Sequence, residues 1–245
     1  MNRVVKKGFT LVELMLSMAF ISVLLLAIAM TVMQISAAYN RGMTVKELNQ
    51  AARLMSEDLR YNISASSSFS SDNSSFLVVS SGGVEVGARL CLGTYSYVWN
   101  YGRAFETPGA TITGYQTVPT GRSSDVRFVR VNDSTKSYCQ KQTNSDSPLY
   151  PNIRSADAPS SQELLKVGDR NLAVHRMEIS STDAMYEGVT GQRLYEVIFT
   201  LGAGSITAMN KTQTACLPAG TEGADVAYCV VQNFPLVIRA GNGVN

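Results

Sequence analysis

The chain has 245 residues, with 21 Lys and Arg against 19 Asp and Glu, four Cys and a single His. That length holds one substantial domain plus an extension, and a 45% apolar composition excludes wholesale disorder. Arg3, Lys6 and Lys7 precede Gly8, so the rest is close to neutral and a globally basic nucleic-acid binder is excluded, as is a His-rich zinc site.

After this short basic stretch, residues 9–40 contain no Gly or Pro, and residues 14–40 contain no charge. The pattern predicts one uninterrupted helix, about 45 Å long over some 30 residues at 1.5 Å each, against a hydrocarbon core of about 30 Å. The basic residues before it place Met1 in the cytoplasm and the C-terminal body outside. A secretory signal peptide has an apolar stretch of about 7–15 residues before its cleavage site, which is much shorter. A plain signal anchor fits the length but gives no reason for Glu13, a carboxylate inside the apolar run that costs about 2.5–3.5 kcal/mol near a helix centre.

The run Lys6-Lys7-Gly8-Phe9-Thr10-Leu11-Val12-Glu13-Leu14 resembles the processing site of the type IV prepilin family, which includes major and minor pilins and the pseudopilins of type II secretion. The resemblance rests on the first 35 or so residues. It implies cleavage by a prepilin peptidase between Gly8 and Phe9, N-methylation of Phe9, and an assembly role for Glu13, which neutralises the N-terminal amine of a neighbouring subunit. It further implies other pilin or pseudopilin subunits, an inner-membrane assembly platform with its ATPase, and the membrane itself as partners. A pairing between ammonium and carboxylate in a low-dielectric bundle gives Glu13 a physical reason to be there. Many family members carry a proline near the middle of this segment, and this chain has none.

Beyond Asn40, Val45, Leu48, Ala52, Met55, Leu59 and Ile63 fall on one face of an amphipathic helix, with Lys46, Glu47, Asn49, Gln50, Arg53, Glu57 and Arg60 opposite. This half is expected to lie on a folded head, with Gly42 softening the junction. A coiled-coil seam with a partner helix is the alternative, but under three heptads is short for one. The serine-rich residues 64–75 end the helix. Short β-prone stretches follow at 76–80, 84–92, 94–101, 126–131, 172–179, 194–201 and 227–238, separated by turn residues such as Ser81-Gly82-Gly83 and Asn132-Asp133. Residues 141–162, with Pro148, Pro151 and Pro159, read as a long surface excursion.

The expected fold class is α+β: a leader (1–8), a transmembrane or filament-core helix (9–40), its amphipathic continuation (41–63) and an antiparallel β-rich extracytoplasmic head (64–245). That is the pilin architecture. The end of the helix, residues 53–60, is similar to minor pilins and to pseudopilins. The function the resemblance implies is a structural subunit, a minor pilin of a type IV pilus-like filament at the cell surface. A pseudopilin of a secretion or DNA-uptake system, in a periplasm-spanning filament, is the alternative, and a membrane-anchored binding or hydrolytic ectodomain is a reading from another class.

Four cysteines allow three pairings. Cys216 and Cys229 are similar to the C-terminal disulfide loop of many pilins, and that resemblance implies a second pair, Cys91 with Cys139. No catalytic residue, metal site or cofactor is expected. His175 lies among apolar residues on a β-prone stretch, and no G-x-S-x-G, Walker A or dinucleotide signature is present. Asn144, Asp146 and Asn152 offer oxygen atoms for calcium without a proper acidic ladder. Arg122, Arg127 and Arg130 with Phe128 form a candidate basic, aromatic patch, though nucleic acid is not an expected partner. Tyr95, Tyr97, Trp99 and Tyr101 alternate, which puts an aromatic face on a strand, in the core or as an adhesive surface.

Overall fold

The computed structural model describes residues 8–69, 75–81, 84–105, 126–142, 150–151, 153, 160–165, 170–181 and 191–241. One helix, α1 (Leu11–Ala65), runs for 55 residues. Thr10 caps it, and no backbone break interrupts it: it passes through Gly42, beside which a Cβ would meet nothing within 4 Å. The helix is continuous through Gly42, whose cost of about 1 kcal/mol relative to Ala is one that a single position in a long helix can carry. At the far end the chain leaves the helix at Ser66, whose N–H (3.2 Å) and hydroxyl (2.8 Å) both return to the Ile63 carbonyl.

Among the described residues eight strands form two antiparallel sheets. The first contains β1 (Phe76–Ser81), β2 (Val84–Cys91), β3 (Tyr95–Asn100), β4 (Phe128–Asn132) and β5 (Ser161–Glu163) in that spatial order; the second contains β6 (Ala173–Ser181), β7 (Arg193–Ala203) and β8 (Val230–Ala240). A parallel bridge between Tyr101 and Val174 joins them. Seven strands coincide with the β-prone stretches to within a few residues. β5 is the exception. It lies at the end of the stretch read as a surface excursion, and it is a strand because Val129, Arg130 and Val131 offer it a ladder, a tertiary cause with no local propensity behind it. The last strand also begins three residues later than expected, because residues 226–228 form a turn.

The amphipathic half of α1 buries the expected stripe. Leu48, Ala52, Met55, Leu59 and Ile63 are at most 2% exposed, and they share one core with Tyr97, Trp99 and Phe128 of the first sheet and Tyr195, Val197, Phe199, Leu201 and Ile238 of the second. The seam is therefore against the chain's own head. The aromatic alternation on β3 resolves the same way: Tyr97, Trp99 and Tyr101 are at most 1% exposed, and Trp99 packs against Phe128 with ring centroids 5.2 Å apart.

A polar cluster fixes the register of helix on sheet. The Tyr97 hydroxyl donates to Asp58 Oδ1 at 2.6 Å and accepts from Asn62 Nδ2 at 2.8 Å, while Arg130 Nη1 forms an ion pair with Asp58 Oδ2 and Nη2 donates to Gln162 Oε1 at 2.7 Å. Burial, reinforced by the Asp58 carboxylate, pushes the Tyr97 phenol far above its ordinary range, so it remains a donor. The opposite face of the first sheet is covered too. Cys91–Cys139 (Cα–Cα 6.2 Å) and the buried Arg89, whose Nη1 donates to the Tyr138 carbonyl at 2.8 Å and the Pro151 carbonyl at 2.5 Å, hold loop segments there. Cys216–Cys229 (Cα–Cα 5.9 Å) closes the loop before β8. Both bonds are those implied by the resemblance.

Two substitutions separate packing from polar register. Leu59→Ala should cost about 2–5 kcal/mol by opening a cavity under the helix, and Tyr97→Phe about 1–3 kcal/mol by removing a buried partner of Asp58. Urea denaturation of the detergent-solubilised chain checks both; equal midpoints for wild type and Tyr97→Phe would show that the cluster contributes nothing.

Candidate functional site

The residues singled out at the N-terminus fall at a helix start. Gly8, Phe9 and Thr10 are exposed and non-helical, and Phe9 is 81% exposed. Thr10 and Glu13 form a reciprocal capping box: the Thr10 N–H and hydroxyl donate to Glu13 Oε2 at 2.9 and 2.8 Å, and the Glu13 N–H donates to Thr10 Oγ1 at 3.3 Å. The box follows from the Thr-x-x-Glu spacing, and the helix dipole favours a carboxylate in the first turn. Among the described residues no basic side chain pairs with Glu13. It sits on an apolar face with Phe9, Leu16, Phe20 and Val23.

From Leu11 to Ser36 every residue of α1 is exposed, and the segment contains a window of mean hydropathy 2.5 with none of its surface covered by the head. Three hydroxyls in this stretch turn inward on the helix: Ser17 donates to the Leu14 carbonyl at 2.9 Å, Ser22 to Met18 at 2.8 Å and Thr31 to Ala27 at 2.9 Å. A predominantly apolar surface with hydroxyls turned back onto the helix suits lipid or other apolar helices. By length and composition it can cross a membrane as a single-pass anchor.

Within the head the other candidates become structural. Arg127 is buried, donating from Nη1 to the Leu172 carbonyl at 2.6 Å and from Nη2 to Asn171 Oδ1 at 2.5 Å, with its guanidinium 4.6 Å from the Phe105 ring. Arg130 is in the helix-to-sheet cluster, and Phe128 is in the core. Arg127, Arg130 and Phe128 therefore do not make a surface patch; the two arginines are drawn toward a carbonyl, an amide oxygen and a carboxylate that only the folded chain supplies. Arg122, and the calcium candidates Asn144, Asp146 and Asn152, lie outside the described residues. Among the described residues no cluster of His, Cys, Asp or Glu could hold a metal.

His175 lies at a bulge in β6, 4% exposed, with Nδ1 3.2 Å from Gln213 Oε1. Its ring occupies space that only glycine leaves open: a Cβ on Gly102 would come within 2.3 Å of the imidazole and one on Gly202 within 2.7 Å. The single histidine thus joins the turn after β3, the end of β7 and the loop before β8. Nothing in the sequence signals this cage, since the two glycines are far apart in the chain and neither sits in a turn motif.

No protein-family model matches the chain, and neither does any curated protein or solved structure.

Burial, together with the charge of Arg103 and against the hydrogen bond to Gln213 Oε1, pulls the His175 pKa down to about 4. The ordinary value is 6.5. Above it neither folded nor unfolded chain binds the proton, and stability is at its plateau. As pH falls through 6.5 the unfolded chain takes up a proton that the folded chain refuses until about 4, so stability declines over that window by an amount on the order of 3 kcal/mol. Asp133 adds a separate acid-sensitive step. Burial alone would raise its pKa, but hydrogen bonds from Ser96, Ser137 and Tyr138 outweigh this and lower it, so its stabilisation is lost only as pH falls below the ordinary carboxylate range. Urea midpoints measured from pH 7.5 to 4.5 should fall for wild type and stay nearly level for His175→Gln; a level wild-type profile would show that the imidazole takes up its proton equally in the folded and unfolded chain.

Proposed function

We propose that the chain is a pilin-like structural subunit, a minor pilin made as a prepilin, cleaved after Gly8, and assembled into a membrane-derived helical filament through residues 9–38 of its helix. The observation that carries this reading is the single helix α1, whose head-proximal half is buried in the domain while its apolar first half stands wholly exposed with one carboxylate, Glu13, near its tip. A surface that large and apolar needs lipid first and other helices afterwards.

The local geometry supports each step. The Gly8–Phe9 bond lies in an exposed, non-helical segment ahead of the cap, where a peptidase acting at the cytoplasmic face can reach it. Cleavage there leaves the capping box intact, because the box begins at Thr10. In the single subunit the cap meets the hydrogen-bonding demand of the Glu13 carboxylate but leaves its charge uncompensated. The new amine of Phe9, still cationic after N-methylation, supplies that compensation from a neighbouring subunit. Pairing in trans then sets the axial register of one helix on the next. The head plays no part in this step, and it faces the extracytoplasmic side, where both disulfides can form.

In the native host, intact-mass and N-terminal analysis should find a chain beginning at methylated Phe9. Glu13→Ala should be processed and remain in the membrane with its head folded, but fall about tenfold or more in sheared filaments, the loss that about 1.4 kcal/mol of pairing energy produces. Undiminished incorporation of Glu13→Ala would show that this carboxylate does not govern assembly, and absence of the wild-type chain from sheared filaments would favour a simple membrane-anchored ectodomain instead.

A further inference from the structure

The loop closed by Cys216–Cys229 reaches back to the helix at one level. Asn40 Nδ2 donates to the Tyr228 hydroxyl at 3.2 Å. The loop end is shaped by Asp225, whose Oδ1 accepts from the Ala227 N–H at 3.1 Å and the Tyr228 N–H at 3.0 Å. The disulfide follows at once, so the turn is held from both sides. It presents Val226 and Tyr228, 51% and 46% exposed, and Tyr39 beside the contact on α1 is 66% exposed. Arg170 lies 5.7 Å from the centre of the Tyr228 ring, and Arg41 ends the uncharged part of the helix.

Single exposed apolar side chains are ordinary. The position of these is not. From Leu14 to Ile35 the helix rises about 32 Å, which matches a hydrocarbon core of about 30 Å. Tyr39 to Arg41 then lie about 6–9 Å beyond Ile35, in or at the edge of the headgroup layer that brings a bilayer to about 40–45 Å in total. Tyrosine with flanking arginine is the side-chain chemistry of that layer, an apolar ring with a polar tip beside a cation that meets lipid phosphate.

We propose that Val226 and Tyr228, with Tyr39, form an interfacial collar that seats the head on the outer headgroup layer of the membrane before the subunit is assembled. The occupant of this patch is a lipid surface, and the argument is its continuity with the exposed apolar half of α1. The proposal rests on the reading of residues 9–40 as a membrane span. The collar gives the membrane-resident subunit two attachment points, the helix and the disulfide loop, and so a defined orientation of the head about the helix axis. The loop's exposed acid, Glu222, is on the side of the turn away from Cys229 in sequence, so the contact is carried by the rings and arginines rather than by net charge.

Trp99 is the only tryptophan and is 0% exposed, which makes the chain suited to a lipid-quenching measurement. The full chain would be placed in phosphatidylethanolamine and phosphatidylglycerol nanodiscs carrying lipids brominated near the carbonyl end of the acyl chain. Tyr228→Trp should lose about half of its added emission, whereas wild type, with Trp99 alone, and Tyr61→Trp, high on the helix, should lose almost none. Phe20→Trp, quenched by lipids brominated near the chain end, reports the span itself. Quenching of Phe20→Trp without quenching of Tyr228→Trp overturns the collar and leaves the span standing; quenching of neither overturns both. If Tyr228→Trp is unquenched in the nanodisc and becomes protected only on filament assembly, the patch is a subunit contact and the collar is again overturned. A red-shifted Trp99 contribution would reveal a misfolded variant, and Val226→Trp then carries the same test.

Discussion

One helix crossing from an apolar environment into a folded head imposes a constraint that the rest of the molecule answers to. A helix of this length has no tertiary partner over its first half, so its continuity must come from its own backbone ladder, its cap and the absence of breakers. Thr10 and Glu13 supply the cap, and the absence of Gly and Pro over residues 9–40 supplies the rest. Over the second half the burden shifts to packing. The stripe from Leu48 to Ile63 excludes water against two sheets at once, and the Asp58, Asn62, Tyr97 and Arg130 cluster fixes which residue lies over which. Displacing the helix by one turn along the sheet would leave the part-buried Asp58 carboxylate and Arg130 guanidinium unmatched.

Much of this was legible in the sequence because it is periodic or local. The apolar run, the stripe at spacings of three and four and seven of the strands are properties of contiguous residues. What was not legible is what distant residues do to one another. β5 is three residues of Ser, Gln and Glu with no intrinsic strand preference, and it exists because β4 offers an edge. Arg127 and Arg130 read as a polar strand face because charged side chains are normally exposed, yet each finds buried oxygen partners. Gly102 and Gly202 give no turn signal, and their purpose is visible only once the His175 ring stands between them. The cysteines alone permitted three pairings, and the fold selects one by bringing Cα atoms to about 6 Å.

The sheet edges bear on how such a chain associates. Among the described residues the two sheets end at β1, β5, β6 and β8. β1 carries an irregularity at Val79/Ser80, β6 is bulged at His175, β5 is only three residues long, and β8 holds Pro235, which lacks an N–H to offer, opposite Ile198. Bulges, short edges and proline are the devices by which sheets avoid pairing with one another. A head so guarded discourages strand-to-strand assembly, and the one large surface left without a partner is the apolar half of α1. Association through helices is therefore favoured on two independent grounds, the unprotected helix and the protected edges.

The same continuity ties the site at the tip of the helix to the head. A kink or melted turn between residues 36 and 44 would let the head swing freely over any membrane or neighbouring subunit, and its position would carry no information about Glu13. With α1 unbroken and its upper half locked to both sheets, a rotation of the helix that brings Glu13 to face a neighbour's amine also turns the head by the same angle. The hydrogen bond between Asn40 and Tyr228 sits at the junction of the two halves and links the disulfide loop to that rotation. Register at the tip and orientation of the head are then one variable rather than two, so under the proposed assembly a single pairing near the N-terminus would place the whole subunit.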